Sequence, residues 1–412
     1  MTNIAMDAVQ TSQVETNRYP LYFSGLVLAM IFFLVDETTF YLPEVMNLFV
    51  KLTAVLFLIL HVVSAFSKYT LSWKIVVVVT FLLSVVIGQK CDHMTLLVVT
   101  WAAIFGAKDI PKERLLKVYF KTSVIFCALT VCMALGGFIE NLVILNLSGT
   151  RETIFGEVVN GRTCFGYIWP TDFATHVFFI FMTYWLLKDG RLSMAKIVFW
   201  VIATYILLSY TDSRLGCGCI ILLLVSGILL NFLRNRKMDK AEKPRRFRLS
   251  FLLILWIPFL AILSLWATAM YDETNISWIA TDLVLSGRLG IGQEALVTKG
   301  IPLLGQFFKL RGGETDSNLY NYIDSSYLQL FIIYGLVYTV LLLSAYIKLG
   351  YQSYRRRDNN LLVALFIAGI SGVIAQHFIQ FNMNPLLLLL FTKDENHSDI
   401  QYAGTEMKEE VV

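Results

Sequence analysis

The sequence predicts an all-α polytopic membrane protein, with about 11–12 transmembrane helices and one large extracytoplasmic loop, on three observations. Its 412 residues are 57% hydrophobic and 16% charged, with a mean hydropathy of +0.65, far too apolar for a soluble domain. Its apolar stretches are continuous and rich in Leu, Ile, Val and Phe, whereas the strands of an outer-membrane barrel alternate in polarity. Its basic residues collect in alternate connections.

Eleven apolar stretches read as spans: Tyr19 to Val35, Val45 to Phe66, Leu71 to Gly88, Met94 to Ala107, Leu115 to Phe138, Phe173 to Leu187, Ile197 to Tyr210, Leu215 to Leu233, Leu249 to Met270, Ser325 to Tyr346 and Leu361 to Phe381. Pro385 to Phe391 is too short to assign as a span. Around them, residues 1–18 read as a polar N-terminal tail, 19–270 as helices one to nine, 271–324 as the long loop with short helices, 325–391 as the C-terminal helices and 392–412 as a polar tail. No secretory signal precedes the first span, so the first helix itself is expected to direct insertion.

One set of alternate connections carries Lys68, Lys74, Lys108, Lys112, Arg114, Lys117, Lys121, Lys188, Arg191, Lys196, the block from Arg234 to Arg248, Lys348 and Arg355 to Arg357. The other holds only Lys90, Arg151, Arg162, Arg288, Lys299, Lys309 and Arg311, although its loops are longer. The positive-inside rule therefore places the first set and the N-terminus in the cytoplasm, and Asp36, Glu37 and Glu44 outside.

The six cysteines show no metal-ligand spacing; Cys91 and Cys164 share the outer face and could form a disulfide, but burial as free small hydrophobes is the preferred reading. His61, His93, His176 and His377 have no ligand spacing and His397 lies in the tail, so none is assigned to metal or catalysis, and no cofactor is expected. No internal repeat is visible and the spans hold almost no charge, which count against an inverted-repeat or ion-coupled transporter.

Four polar clusters converge on the predicted outer face. The first, Gly161 to Asp172, contains Arg162 and a Tyr167-Ile168-Trp169-Pro170 run that also suits an interfacial aromatic anchor. The second, Thr211-Asp212-Ser213-Arg214, leads into Gly216 to Cys219, small residues that permit close approach; Arg214 faces a cavity or snorkels. The third, Asp282 to Leu296, includes Ser286-Gly287-Arg288 and the apolar spacing of a short surface helix, with a solvated arginine as the alternative. The fourth, Asp324-Ser325-Ser326-Tyr327, enters the tenth span, where Asp324 could be a helix N-cap, a base, or both. Lys51 could add positive charge to the same cavity or snorkel.

Arginines and a carboxylate just outside a bilayer suit chemistry on a lipid-linked phosphate, and glycosyl transfer from a sugar on polyprenyl diphosphate is one such reaction to weigh against them. Cleaving the sugar–phosphate bond builds negative charge on the leaving diphosphate, which the planar, permanently charged fork of arginine binds in pairs of oxygens. Arg214 and Arg288 are the first candidates for this diphosphate clamp and Arg162 the third. Asp324 is the candidate base for the acceptor hydroxyl, with Lys51, Asp212 and Tyr327 as accessory candidates. No Mg²⁺ is demanded, because the arginines could neutralise the leaving group and the outer loops lack a tight Asp cluster.

In these clusters the chain resembles the Wzy-type repeat-unit polymerases of capsule, exopolysaccharide and O-antigen pathways, especially the Gram-positive type, from about Arg162 onward. Arg162 to Asp172 resembles that family's arginine, Phe-Gly and proline segment, with Trp169-Pro170-Thr171-Asp172 standing where His-Pro-Asn is expected. Thr211 to Arg214 resembles its Ser-Arg, Ser286 to Arg288 its Gly-Arg, Asp324 to Leu328 with Gly335 its Asp-Asn-x-Tyr-Leu and glycine, and Asn384-Pro385 its late Asn-Pro. The resemblance implies a GT-C-related helical arrangement in the cytoplasmic membrane, acting with inversion and without metal. It implies undecaprenyl-diphosphate-linked oligosaccharides as donor and acceptor, flippase and chain-length-regulator proteins as partners, and no nucleic acid. The alternatives are an O-antigen-type ligase and a flippase or transporter of lipid-linked oligosaccharides.

Overall fold

The computed structural model describes residues 19–145, 151–152, 158–159, 161–238, 248–285, 287–310 and 322–393. The N-terminal tail, most of the basic block after Arg234, Ser286, Arg311 and the tail from residue 394 lie outside the described residues.

The chain enters on α1 (Pro20–Val35), with Pro20 in the first turn, where no N–H is needed. Next come α2 (Glu44–Phe66), α3 (Leu71–Cys91), the short α4 (Met94–Gly106) and α5 (Lys112–Leu135). Four short strands, β1 (Val143–Leu145), β2 (Arg151–Glu152), β3 (Val158–Val159) and β4 (Gly161–Thr163), pair antiparallel as β1 with β4 and β2 with β3. Then follow α6 (Pro170–Leu187), α7 (Met194–Thr211), α8 (Arg214–Met238), a 3-10 stretch over Arg248–Leu255, and α9 (Trp256–Ala269). The connection after α9 carries α10 (Ile276–Val284) and α11 (Arg288–Lys299). From α12 (Ser326–Gln329) the helix runs through a π turn, Leu330–Tyr334, into α13 (Gly335–Arg356), and α14 (Asn359–Ile374) follows.

Among the described residues seven helices are long and apolar enough to cross a membrane, and α1, α4 and α14 are shorter apolar helices. The molecule is a multi-pass helical membrane protein. Each of the eleven spans read from the sequence contains a helix, although the ninth begins as the 3-10 stretch and the last ends early, because an apolar run of that length must satisfy its backbone internally to lie in lipid. Burial sorts them into layers. On α2 only Ala54, Leu58 and Val62 are buried, so most of its surface is left for lipid, whereas α6 buries residues on every face and is the central helix. The small-residue stripe serves this centre: a Cβ on Gly216 would meet the Ala174 carbonyl oxygen at 3.1 Å, so α8 lies backbone to backbone on α6.

Loops of the sparsely charged set gather at one end. Thr39 N–H donates to the Gly166 carbonyl (2.9 Å), Ile168 N–H to that of Glu37 (3.0 Å), and Arg162 Nε to that of Thr211 (2.7 Å). At the opposite end Lys112 pairs with Asp358, and Asn231 Nδ2 donates to the Gly190 carbonyl (3.1 Å). All six cysteines are free, so no Cys91–Cys164 disulfide forms.

The last predicted span needs correction. Its helix stops at Ile374; Ala375 is extended, and the chain turns through Gln376–Ile379 and runs back as a second 3-10 segment, Pro385–Phe391, with Leu386 to Leu390 at most 5% exposed. Tyr119 donates to the Asn382 carbonyl (2.7 Å), and Asp109 N–H to that of Phe391 (3.2 Å), so the return reaches the end bearing Lys112. Such irregular backbone survives at membrane depth only because protein encloses it. Asn384 organises it: its side chain accepts from Leu386 N–H (3.1 Å) and donates to the Phe378 carbonyl (2.8 Å) and Tyr346 hydroxyl (3.2 Å).

Candidate functional site

A helix that stops abruptly leaves its last carbonyls without partners. Those of α14 are taken by the motif residues picked from sequence. Ser325 Oγ donates to the Gly372 carbonyl (3.4 Å), Ser326 Oγ to Ala375 (2.5 Å) and Arg288 Nε to Ile374 (3.1 Å), while the Tyr327 hydroxyl donates to Gly369 (2.8 Å) within the helix. Tyr327 is thus a fully buried strut between helices.

Arg288 opens α11, and Asp282 holds that helix start in place: its Oδ1 accepts from Leu289 N–H (2.7 Å) and its carbonyl from Gly287 N–H (2.8 Å). From there the guanidinium meets Ile374, donates through Nη1 to the Leu285 carbonyl (3.0 Å), and places Nε 3.2 Å from Asp324 Oδ2. Its position over the C-terminus of α14 also answers the negative end of that helix. Asp324 does not cap its own helix. Ser325 occupies the N-cap position and makes no side-chain capping bond, which leaves the Asp324 carboxylate, 27% exposed, to Arg288. Burial raises the Asp324 pKa above the ordinary carboxylate value; Arg288 opposes the rise, Asp172 adds to it and His377 opposes it.

That last pair belongs to a cluster the sequence did not show. Glu37, just beyond α1, Asp172 in the first turn of α6, and His377 after α14 bring one ligating atom each within 4.8 Å of one another. His377 Nε2 lies 3.0 Å from Asp172 Oδ1, with the two side chains only 3% and 4% exposed. Glu37 accepts from Gln380 Nε2 (3.2 Å), and its pKa is pushed up to about 7, by burial first and the Asp172 charge second, against His377 and Gln380. Tyr322 joins the group electrostatically and donates to Gln376 Oε1 (2.5 Å). Sequence spacing links none of these three residues; three distant segments converge in the fold to bring them together.

The other candidates form a second group around the α7–α8 turn. Arg162, half-buried on β4, holds the Thr211 carbonyl, and Asp212 turns the chain in the left-handed region (φ 48°). Arg214 is 83% exposed, with Nε 3.5 Å from Asp212 Oδ1. Cys164 links the two groups: its thiol is pushed up to about 12, by burial first, and feels both Asp172 and Arg162. Lys51 lies apart, with Nζ 5.6 Å from the centre of the Phe32 ring and its charge acting on Asp36. The structure therefore pairs Arg288 with Asp324 and gathers Arg162, Asp212 and Arg214 at a neighbouring turn; Arg214 and Arg288 have different partners. An apolar groove of about 250 Å³ lined by Ile59, Phe66, Val77 and Trp101 contains no reactive group.

Chemically, the first group combines a fixed cation, a carboxylate with a raised pKa and a buried histidine–carboxylate cluster, which suits anion binding and proton transfer. Compared with known proteins, the chain matches no protein-family model, no curated protein and no solved structure.

Proposed function

We propose that the protein is a glycosyltransferase of the extracytoplasmic membrane face, joining oligosaccharide repeat units carried on undecaprenyl diphosphate into a polysaccharide. The observation that supports this reading is the part-exposed Arg288–Asp324 pair at the end of the bundle whose loops carry little positive charge. In the resting protein Arg288 engages Asp324. The bonds to Ile374 and Leu285 use two of the five N–H donors of the guanidinium, and the rest can grip an anion. A lipid diphosphate bound there competes with Asp324 for Arg288. Its negative charge then raises the carboxylate's proton affinity further, turning an ion-pair partner into a base for the acceptor hydroxyl. As the sugar–phosphate bond breaks, the electron pair passes to the diphosphate, stabilised by Arg288 with Arg214 and Arg162 at the neighbouring turn, while Asp324 takes the proton of the attacking hydroxyl. The polyprenyl chain remains in lipid, which is why such a site belongs at a bundle end.

The test is the purified protein with defined lipid-linked units, products resolved by length. A ladder that disappears in Arg288→Ala and Asp324→Asn supports polymerisation. Transfer of single units to another acceptor without a ladder points to a ligase, and movement of lipid across vesicles without new glycosidic bonds to a transporter.

A further inference from the structure

We infer that Glu37, Asp172 and His377 form a binding site for one divalent transition-metal ion of the zinc or manganese class. Three features carry this. First, the ligating atoms converge within 4.8 Å, one from each of three segments far apart in the chain, and backbone bonds tie the Glu37 segment to the turn that leads into α6: Ile168 N–H donates to the Glu37 carbonyl, and Thr38 bridges Tyr167. Second, His377 Nε2 and Asp172 Oδ1 pair at 3.0 Å, while Asp172 Oδ2 and His377 Nδ1 are buried with no partner. Ligand-type atoms left buried and unpartnered beside that pair have bonding capacity that a cation can use. Third, a single cationic partner faces two carboxylates: His377 answers both Asp172 and Glu37, and among the described residues no lysine or arginine pairs with either. Burying two carboxylates against one imidazole leaves negative charge in excess, and a dication removes it.

One imidazole nitrogen and two carboxylates suit Zn²⁺, Mn²⁺ or Fe²⁺ better than Ca²⁺, which takes six to eight oxygens. Gln380 orients the Glu37 carboxylate as an outer partner, and Gln380 Oε1 is itself buried and unsatisfied. The ion would tie α1, α6 and the turn after α14 together beside Asp324, independently of whether the protein transfers sugars.

The experiment uses tag-free full-length protein in detergent, stripped with chelator, then given ZnCl₂, MnCl₂, MgCl₂ or CaCl₂ alone. Metal content after desalting and thermal unfolding are measured. The expected result is one zinc or manganese ion per chain and a raised Tm, with magnesium and calcium doing neither, and affinity weakened roughly tenfold to hundredfold by loss of the outer partner in Gln380→Ala and further by Glu37→Gln, the ligand variant least disruptive to packing. His377→Ala and Asp172→Asn should remove the bound ion. Folded wild-type protein that takes up no stoichiometric ion, with the cluster stabilised by acid instead, would overturn the inference, as would undiminished binding in both Glu37→Gln and His377→Ala.

Discussion

Asp324 and Arg288 divide the work at the residue scale, and their substitutions separate it. Asp324→Asn keeps shape and removes the base, so we expect lost polymer with donor binding retained, read by a lipid-binding assay beside the product gel; full activity would reduce Asp324 to an ion-pair partner. Arg288→Lys keeps the charge and loses the fork. Because Arg288 also holds the Ile374 carbonyl, its loss should lower Tm as well as activity, whereas Arg214→Lys, at an 83% exposed side chain, should abolish polymer at unchanged Tm. Asp324 must be ionised to accept a proton. Its pKa is raised by burial and by Asp172, against Arg288 and His377, so activity should fall as pH drops through a value above the ordinary aspartate range, seen as the acid limb of the rate profile. An acid limb at an ordinary carboxylate pKa would contradict the assignment. Individually these residues were legible, since charge at the lip of an apolar span stands out. The Glu37–Asp172–His377 cluster was not, because no periodicity links positions so far apart and only the fold brings them together.

At the scale of elements, the packing at two positions sets firm expectations. Gly335 sits at φ +83°, and a Cβ there would meet the Gly305 backbone nitrogen at 2.5 Å and the Pro302 carbonyl oxygen at 2.8 Å. Gly335→Ala should therefore cost about 1–3 kcal/mol or more and disorder the π turn that follows α12, read as a lowered Tm in detergent. Asn384→Ala strips three hydrogen bonds from buried groups, at roughly 1–3 kcal/mol for each left unsatisfied, and should loosen the 3-10 return over Pro385–Phe391. The spans were legible because length and apolarity suffice to specify a membrane helix. The early stop at Ile374 was not, because the residues that cap α14, Ser325, Ser326 and Arg288, lie elsewhere in the chain and only tertiary bonds reveal them.

For the whole molecule, the reading requires that the end bearing Glu37, Asp324 and Arg288 faces away from the cytoplasm. Single cysteines at the exposed Glu273 and Arg191, in a Cys132→Ser background, should react with an impermeant maleimide on intact cells at the first position and not the second; the reverse pattern would invert the topology. The central claim is that Arg288 and Asp324 carry glycosyl transfer from a lipid diphosphate. It is tested most directly by incubating the purified protein with undecaprenyl-diphosphate-linked repeat units and resolving the products on a gel. The account predicts a ladder of lengthening glycan and released undecaprenyl diphosphate with the wild type, and neither with Arg288→Ala or Asp324→Asn. A wild-type ladder that persists unchanged in both variants would contradict it.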